Sequence, residues 1–362
     1  MKNTLDIFNL NLKAFGLDIS DQSLKLVQLE KKRKQIKMRC FNEIGLKEDV
    51  IKKGVVLKPD ILSESIKSLV KKTKGLNTKY VSLSLPEEKA FLQVISMPKM
   101  KEEEFKNAVK YEAENYIPLS IDKMYLDCES ISFSETIKDT QEVLLAAFQK
   151  ETVDSYLGVL DEAGLVPLVL ETESQAITRS LINDSNGKTP RMIIDIGANR
   201  TIFIIVTGAT PRFSAYVPLS SNVFTEAIAK TLKIDFKKAE ELKIKCGLRR
   251  QAEQEKEVFD ALIPGLVDLT EQIKRHFDYY HDYAQEKGYG EKNTDIKDML
   301  ICGGGSNLVN LDKFLSEQLK VPVKVGNPLI NISGVKQFTV EKDKLSFAVA
   351  IGLALRGLGE HD

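Results

Sequence analysis

The chain has 362 residues, 43% of them apolar and 29% charged, which is enough for two or more domains and too apolar for a disordered chain. Lysine plus arginine and aspartate plus glutamate each number 52, so no net field draws in nucleic acid or an anionic membrane. No stretch approaches about 18 uninterrupted apolar residues, and the opening MKNTLDIFNLNLKAF is broken by Asp, Asn and Lys; neither a membrane span nor a signal peptide is expected.

Residues 15–46 alternate as a three-strand meander, FGLDIS, LKLVQLE and KMRCFNEIG, with Asp18 placed just before the first turn. The basic run Lys31–Lys34 reads as a solvated hairpin tip rather than an anion-binding patch. Pro59 and Asp60 open a helix through SESIKSLVKKTK, and KYVSLSL, ended by Pro86, is a strand.

Residues 87 to 163 change character. FLQVISMP is a strand, MKEEEFKNAVKYEAENYIP a helix with glutamates in its first turn, and MYLDCESISF and EVLLAAFQ two more strands, a small inserted strand-helix-strand-strand unit. Phe105, Val109, Glu112 and Tyr116 share one helix flank, which is expected to face the unit's own sheet. Tyr111, Tyr116 and Ile117 are candidates for an outward surface suited to a docked peptide, with plain core packing as the alternative.

ETVDSYLGVLDEAG then reads as a helix, GLVPLVLE as a strand returning to the first sheet, and ETESQAITRSLI as a helix leading out of it. NDSNGKTP, residues 183–190, is the clearest linker. Its GKT resembles the end of a phosphate-binding loop, but Ile182 stands where the first glycine is needed, so the likeness carries nothing.

The second half repeats the first. MIIDIGANRTIFIIVTG, Met192–Gly208, sets Asp195 before a glycine turn and a returning strand from Thr201. The spacing equals that of Asp18 and the strand from Leu24, since 195 − 18 = 177 and 201 − 24 = 177. Two related halves of this kind predict a cleft with the two acids facing one another across it. SNVFTEAIAKTLKI is a helix, residues 235–295 are polar and helical, and DMLICGGGSNLVNLDKFLSEQL is a buried strand entering a glycine turn and a helix from about Asn307. LSFAVAIGLALRGL is a helix whose small residues Ala348, Ala350, Gly352 and Ala354 suit close packing.

A carboxylate beside a turn whose amides point inward suits a cation-bound polyphosphate, although a single Asp there could merely close its turn. Its occurrence at matched positions favours metal-phosphate work, with Asp18 and Asp195 each holding waters of a Mg²⁺ that bridges phosphate oxygens. Gly303–Gly305 would let a flat ring or a phosphate approach the backbone, or serve packing alone. Glu240 and Lys243, three apart on one helix, read as a solvated ion pair. Cys40, Cys128, Cys246 and Cys302 are widely spaced without a CxxC pair, which points to a reducing cytoplasm. His276 and His281 are five apart, and HExxH and GxSxG are missing from the sequence, so zinc chemistry and serine hydrolysis are not supported.

The paired hairpins, the GGG turn and the AEELK helix resemble the actin-like ATPase superfamily. Within it GLDIS, VKYEAENYIPLSID, LVLETESQAI, IDIGANRT, ICGGGSNLVNLDKFL, VKVGNP and AIGLALRGL look like the PilM family of type IV pilus assembly, and together they cover nearly the whole chain. That resemblance implies an α/β actin-like fold: two related lobes around a nucleotide cleft, with the inserted α+β subdomain. The first lobe would comprise residues 1–86, 164–186 and 344–362, the insertion 87–163, the second lobe 187–234 and 296–343, and a helical subdomain 235–295. ATP and Mg²⁺ are implied cofactors. Asp18 and Asp195 would attend the metal; Ser20, Asp21, Gln22, Ser23 and Lys25, with Gly197, Ala198 and Asn199, the phosphates; Glu240 and Lys243 the nucleoside; and Gly304, Gly305 and Asn307 the adenosine side. Glu173 would orient an attacking water and, with Asp195, form the catalytic pair of a weak ATPase. The implied partner is the cytoplasmic N-terminal tail of a PilN-like inner-membrane protein, held in a groove beside the insertion; this would make a cytoplasmic protein peripheral to the membrane. Pilus motor ATPases are further expected contacts, and self-association is a further expectation. The alternatives are an actin-like kinase, for which no acceptor loop is recognisable, and a filament-former like FtsA, whose linker and amphipathic helix are not expected after AIGLALRGLGEHD. Two residues depart from the family: Ser20 stands where glycine is usual, and Arg200 where a small residue is usual.

Overall fold

The structure, a computed structural model, describes residues 12–33, 35–117, 119–131, 140–183, 187, 189–286, 295–333 and 343–359. Residues 184–186 and 188 of the expected linker, the tip residue Lys34 and the last three residues lie outside the described residues.

The meander forms as β1 (Phe15–Ile19), β2 (Ser23–Lys32) and β3 (Gln35–Gly45), followed by the short hairpin β4 (Ile51–Lys52) and β5 (Val55–Val56). Helix α1 (Pro59–Lys72) starts with proline in its first turn, where no amide donor is missed, and leads to β6 (Tyr80–Leu85). The insertion is β7 (Ala90–Pro98), α2 (Glu102–Ala113), β8 (Met124–Ile131) and β9 (Thr140–Gln149), the order expected from sequence. Next come α3 (Lys150–Glu162), β10 (Val166–Thr172) and α4 (Glu173–Leu181), the last opened by a capping box of Thr172 and Gln175.

The second half contributes β11 (Arg191–Ile196), β12 (Thr201–Thr207), β13 (Thr210–Val217), α5 (Ser221–Leu232), α6 (Phe236–Cys246) and α7 (Glu253–Glu286). It continues with β14 (Met299–Cys302), α8 (Leu311–Leu319), β15 (Val323–Val325) and α9 (Ala348–Arg356). Among the described residues no helix is long and apolar enough to cross a membrane.

The duplication extends to topology. One sheet runs β10-β6-β1-β2-β3, and the other contains β15-β14-β11-β12-β13 in the corresponding order. Asp18 opposes Lys25 across the first hairpin and Asp195 opposes Ile202 across the second, the same register moved by 177 residues. β1 is buried along its whole length because it lies between a parallel and an antiparallel neighbour with helices on its faces, as its near-continuous apolar run requires.

The second sheet does not stop at β13. It continues through β7 and β9 to β8, joined where Phe213 pairs with Gln93. A buried Arg212–Glu142 ion pair of 2.6 Å and a 2.7 Å bond from the Tyr283 hydroxyl to the Val94 carbonyl reinforce that junction. The stretch expected as an insertion thus follows β6 of the first sheet in the chain yet is bonded to the second sheet. Within it Val109, Ala113 and Ile117 bury against Ile95, Val143 and Leu145. Of the three residues considered for an outward surface, Tyr111 alone is broadly exposed, at 75%; Ile117 is core and Tyr116 packs beside it. The polar helical stretch likewise shares a core with the sheet, for Leu262, Leu266 and Ile273 of α7 pack with Phe203 and Ile205 of β12.

Helices α4 and α9 lie between the two sheets. One face of α9 joins α4 and β12 through Ala348, Val349 and Leu353, and the other joins β2 through Ala350, Ile351 and Ala354. The approach is close enough that a Cβ on Gly16 would collide with the Ala350 carbonyl, and one on Gly352 with the Ala176 carbonyl. Substituting Gly352→Val is therefore expected to cost about 2 kcal/mol or more in urea unfolding. Gly158→Ala in α3, where the new methyl meets nothing within 4 Å, is expected to be neutral or stabilising.

Candidate functional site

Asp18 and Asp195 are the penultimate residues of β1 and β11, so strand geometry delivers both carboxylates to the ends of the inner strands. Both line one cavity of about 390 Å³. The predicted residues of the first hairpin, Ser20–Ser23 and Lys25, form one side of it, and Gly197–Asn199 the other; Glu173 and Gly304 also line it. The two turns touch at their tips, where the Gln22 side-chain amide donates to Asn199 Oδ1 at 3.2 Å, between residues that correspond in the repeat.

Four predicted residues stand outside this lining. Lys243, only 5% exposed, donates to the Ser221 carbonyl at 2.9 Å and to the hydroxyls of Ser221 and Thr225 at 2.7 and 2.6 Å. It also pairs with Glu240 at 2.7 Å. The solvated pair expected from spacing is instead a buried ammonium whose pKa burial lowers. It reaches the site at one remove, since the amides of Ser221 and Asn222 donate to the carbonyls of Gly197 and Ala198 at 3.0 and 3.1 Å. Gly305 packs onto Ile196, and Asn307 donates to the Gly304 carbonyl at 3.1 Å. The helix expected from Asn307 begins at Leu311, and Gly304–Asn307 is a 3₁₀ turn.

Electrostatics single out the two acids. Burial pushes Asp18 up to about 7, against the opposing pull of Lys25, and raises Asp195 to about 6, with Glu173 adding to the rise. Lys25 Nζ stands 4.0 Å from Asp18, 3.5 Å from Glu43, and donates to Ser23 Oγ at 2.7 Å. The Cys302 thiol donates to Asp195 Oδ1 at 3.4 Å, and burial raises its own pKa. Ser20 turns its hydroxyl back to the Ser23 carbonyl at 3.0 Å and accepts the Ser23 amide at 3.1 Å, so it closes its own turn.

Arg200 lines the cavity but is engaged elsewhere. Its Nη2 donates to both oxygens of Glu173 at 2.7 and 2.8 Å, and its Nε lies 3.0 Å from Glu88 Oε2. Glu173 Oε2 also accepts the Glu87 amide at 3.2 Å, and Glu87 Oε2 accepts the Ser174 amide at 3.0 Å. Glu87 and Glu88 were not among the expected site residues. Their adjacency behind Pro86 offered a signal only in combination with a distant arginine.

This donor set fits a hydrated divalent cation with phosphates. The carboxylates are hard oxygen donors, and the amides of Asp21, Gln22, Ala198 and Asn199 make no hydrogen bond among the described residues. No group of three His, Cys, Asp or Glu side chains forms a metal cage among the described residues.

With pKa values above that of an unfolded aspartate, the folded protein holds protons that the unfolded chain releases, so the contribution of these acids to stability falls as pH rises from about 4 to about 7. Thermal melts without nucleotide are expected to show Asp18→Asn regaining at least about 1 kcal/mol at pH 8 while matching the wild type at pH 4. An equal effect at both pH values would contradict the assignment.

Comparisons with known proteins agree with this geometry. A solved "PilM-PilN type IV pilus biogenesis complex" is similar with a TM-score of 0.81 and 29% identity, covering 96% of this chain and 99% of that one. MreB5 of Spiroplasma citri bound to ADP shares the fold at a TM-score of 0.54 and 13% identity over 95% of both chains. The cell division protein FtsA of Streptococcus pneumoniae is 22% identical over 86% of this chain and 75% of its own length. For FtsA of Borreliella burgdorferi the match is 23% identical over 45% of this chain, which spans 42% of that relative. The fold is that of the actin-like ATPases. The profile described as "Type IV pilus assembly protein PilM" matches residues 16–358, and the chain belongs to that family.

Proposed function

We propose that the chain is an ATP- and Mg²⁺-binding scaffold of type IV pilus assembly that docks the N-terminal tail of a PilN-like inner-membrane protein, with nucleotide state setting the angle between its lobes. The observation that carries the nucleotide half is the meeting of two duplicated Asp hairpins over one cavity, with the turn amides of Asp21, Gln22, Ala198 and Asn199 making no hydrogen bond among the described residues. In this reading Asp18 and Asp195 hold the waters of the cation, residues 20–23, Lys25 and 197–199 hold phosphates, and Glu173 faces an attacking water. Glu240 and Lys243 brace the nucleoside side, and Gly304, Gly305 and Asn307 border the adenosine. The Mg²⁺ that accompanies a bound nucleotide would supply the positive charge that two buried carboxylates lack.

The docking half rests on a second cavity of about 430 Å³ between the insertion and the first sheet. It is lined by Leu126 and Leu144 of the insertion and by Leu157 and Leu170 opposite. β8 and β10 are each the last strand of their sheet, and both line this groove. Two strand edges unpaired among the described residues, flanking an apolar floor, suit an extended peptide, whose backbone finds partners there while alternate side chains fill the groove. The solved relative of 29% identity is itself a complex of PilM with PilN.

The two halves connect mechanically. The wall carrying β8 is bonded to the second sheet through β7 and β13, while the wall carrying β10 belongs to the first. Rotation of the lobes about the nucleotide therefore changes the width of the groove. The subdomain division given above, a cytoplasmic location at the inner membrane through the partner, and contacts with motor ATPases all follow from this reading.

Isothermal titration with a synthetic peptide copying the N-terminus of a PilN-like protein is expected to show saturable binding whose affinity differs with and without MgATP. Leu126→Ala is expected to weaken that binding about tenfold, or roughly 1.4 kcal/mol. No heat at high micromolar peptide in either nucleotide state would contradict the docking reading.

A further inference from the structure

Arg200 is the large charged residue of the turn between β11 and β12, and its contacts tie that turn to the start of α4. The guanidinium is held between two carboxylates: its Nη2 bridges both oxygens of Glu173, and its Nε edge faces Glu88 at 3.0 Å. Glu173 also takes the Glu87 amide, so three of the roughly four acceptor positions of its carboxylate are filled by protein donors. Glu173 is 5% exposed, at the first position of α4, where the capped helix start leaves its backbone little freedom. A carboxylate so occupied has little capacity left to orient a water.

We propose that Arg200 is a built-in brake on hydrolysis: by clamping Glu173 it makes the cleft hold nucleotide rather than turn it over. The inference rests on the nucleotide reading above and concerns the positioning of Glu173, since Arg200 acts through that residue. When the clamp is released, a water oriented by Glu173 forms the new bond from its oxygen to the γ-phosphorus of ATP. The bond to the β–γ bridging oxygen breaks with its electron pair leaving on ADP, and the proton lost by the water passes through the Glu173 carboxylate to the phosphate product. Glu88 gives the brake a second anchor at the root of the insertion, immediately before β7. The ion pairs join a turn of the second lobe to the first lobe's crossover helix, so the brake also spans the cleft.

The test compares wild type, Arg200→Ala, Arg200→Lys and Arg200→Ala/Glu173→Gln in steady-state phosphate release, alongside MgATP titration calorimetry and thermal melts. Removing the arginine leaves buried acids unpaired and lowers the melting temperature without nucleotide, so Glu88→Gln/Arg200→Ala, with one buried charge fewer, serves as the second variant. The expected result is a rise in kcat of about tenfold or more with KM and MgATP affinity changed less than about threefold. Arg200→Lys is expected to return the rate toward the wild-type value, and Glu173→Gln to abolish the gain. A loss of packing alone would lower affinity and stability without a Glu173-dependent gain. If wild type binds MgATP and neither arginine-free variant hydrolyses it faster, the brake is refuted while the nucleotide reading stands. Wild type that binds no MgATP refutes the nucleotide reading itself.

Discussion

Two carboxylates buried at the facing ends of duplicated hairpins impose the constraint to which the rest of the structure responds. An ionised aspartate taken out of water is costly unless a cation or hydrogen bonds compensate it. The neighbours of Asp18 and Asp195 compensate only in part, with one lysine at 4.0 Å from the first and a thiol at 3.4 Å from the second. The remainder appears as the upward pull on both pKa values. In the proposed function a divalent cation between the halves would offset that cost, and binding energy drawn from the difference would be available to close the lobes.

Both sheets press on the α4 and α9 pair, whose glycine contacts permit no extra methyl group. In the proposed function this pair would serve as the pivot for rotation of the lobes. The insertion's sheet is continuous with β13 while its groove opens toward the first sheet, so in that reading rotation would change the groove at a distance. The Arg200 cluster lies between the turn after β11, the start of α4 and the root of the insertion.

Much of this was legible in the sequence because it is local. A hairpin with its acid and turn occupies fewer than twenty residues, and its recurrence at an offset of 177 needs no tertiary knowledge; the matched register is its direct consequence. The small residues of α9 announced its close packing in the same way. What escaped depended on distant partners. Lys243 reads as a surface residue in AEELK, and only the approach of α5 with Ser221 and Thr225 buries it. The partners of Arg200 lie 112 and 27 residues away, so nothing near GANRT indicates that its charge is already satisfied. The attachment of the insertion to β13 rests on a single registered pair and a buried ion pair, neither of which has a periodic signature.

The central claim, that the two aspartates share one magnesium nucleotide, is tested most directly by titrating ATP into the protein with Mg²⁺ and again with the metal chelated, for the wild type and for Asp18→Asn and Asp195→Asn. Affinity that requires the metal and falls at least about tenfold in each variant is the predicted result. Binding that is indifferent to chelation and to both substitutions would contradict it.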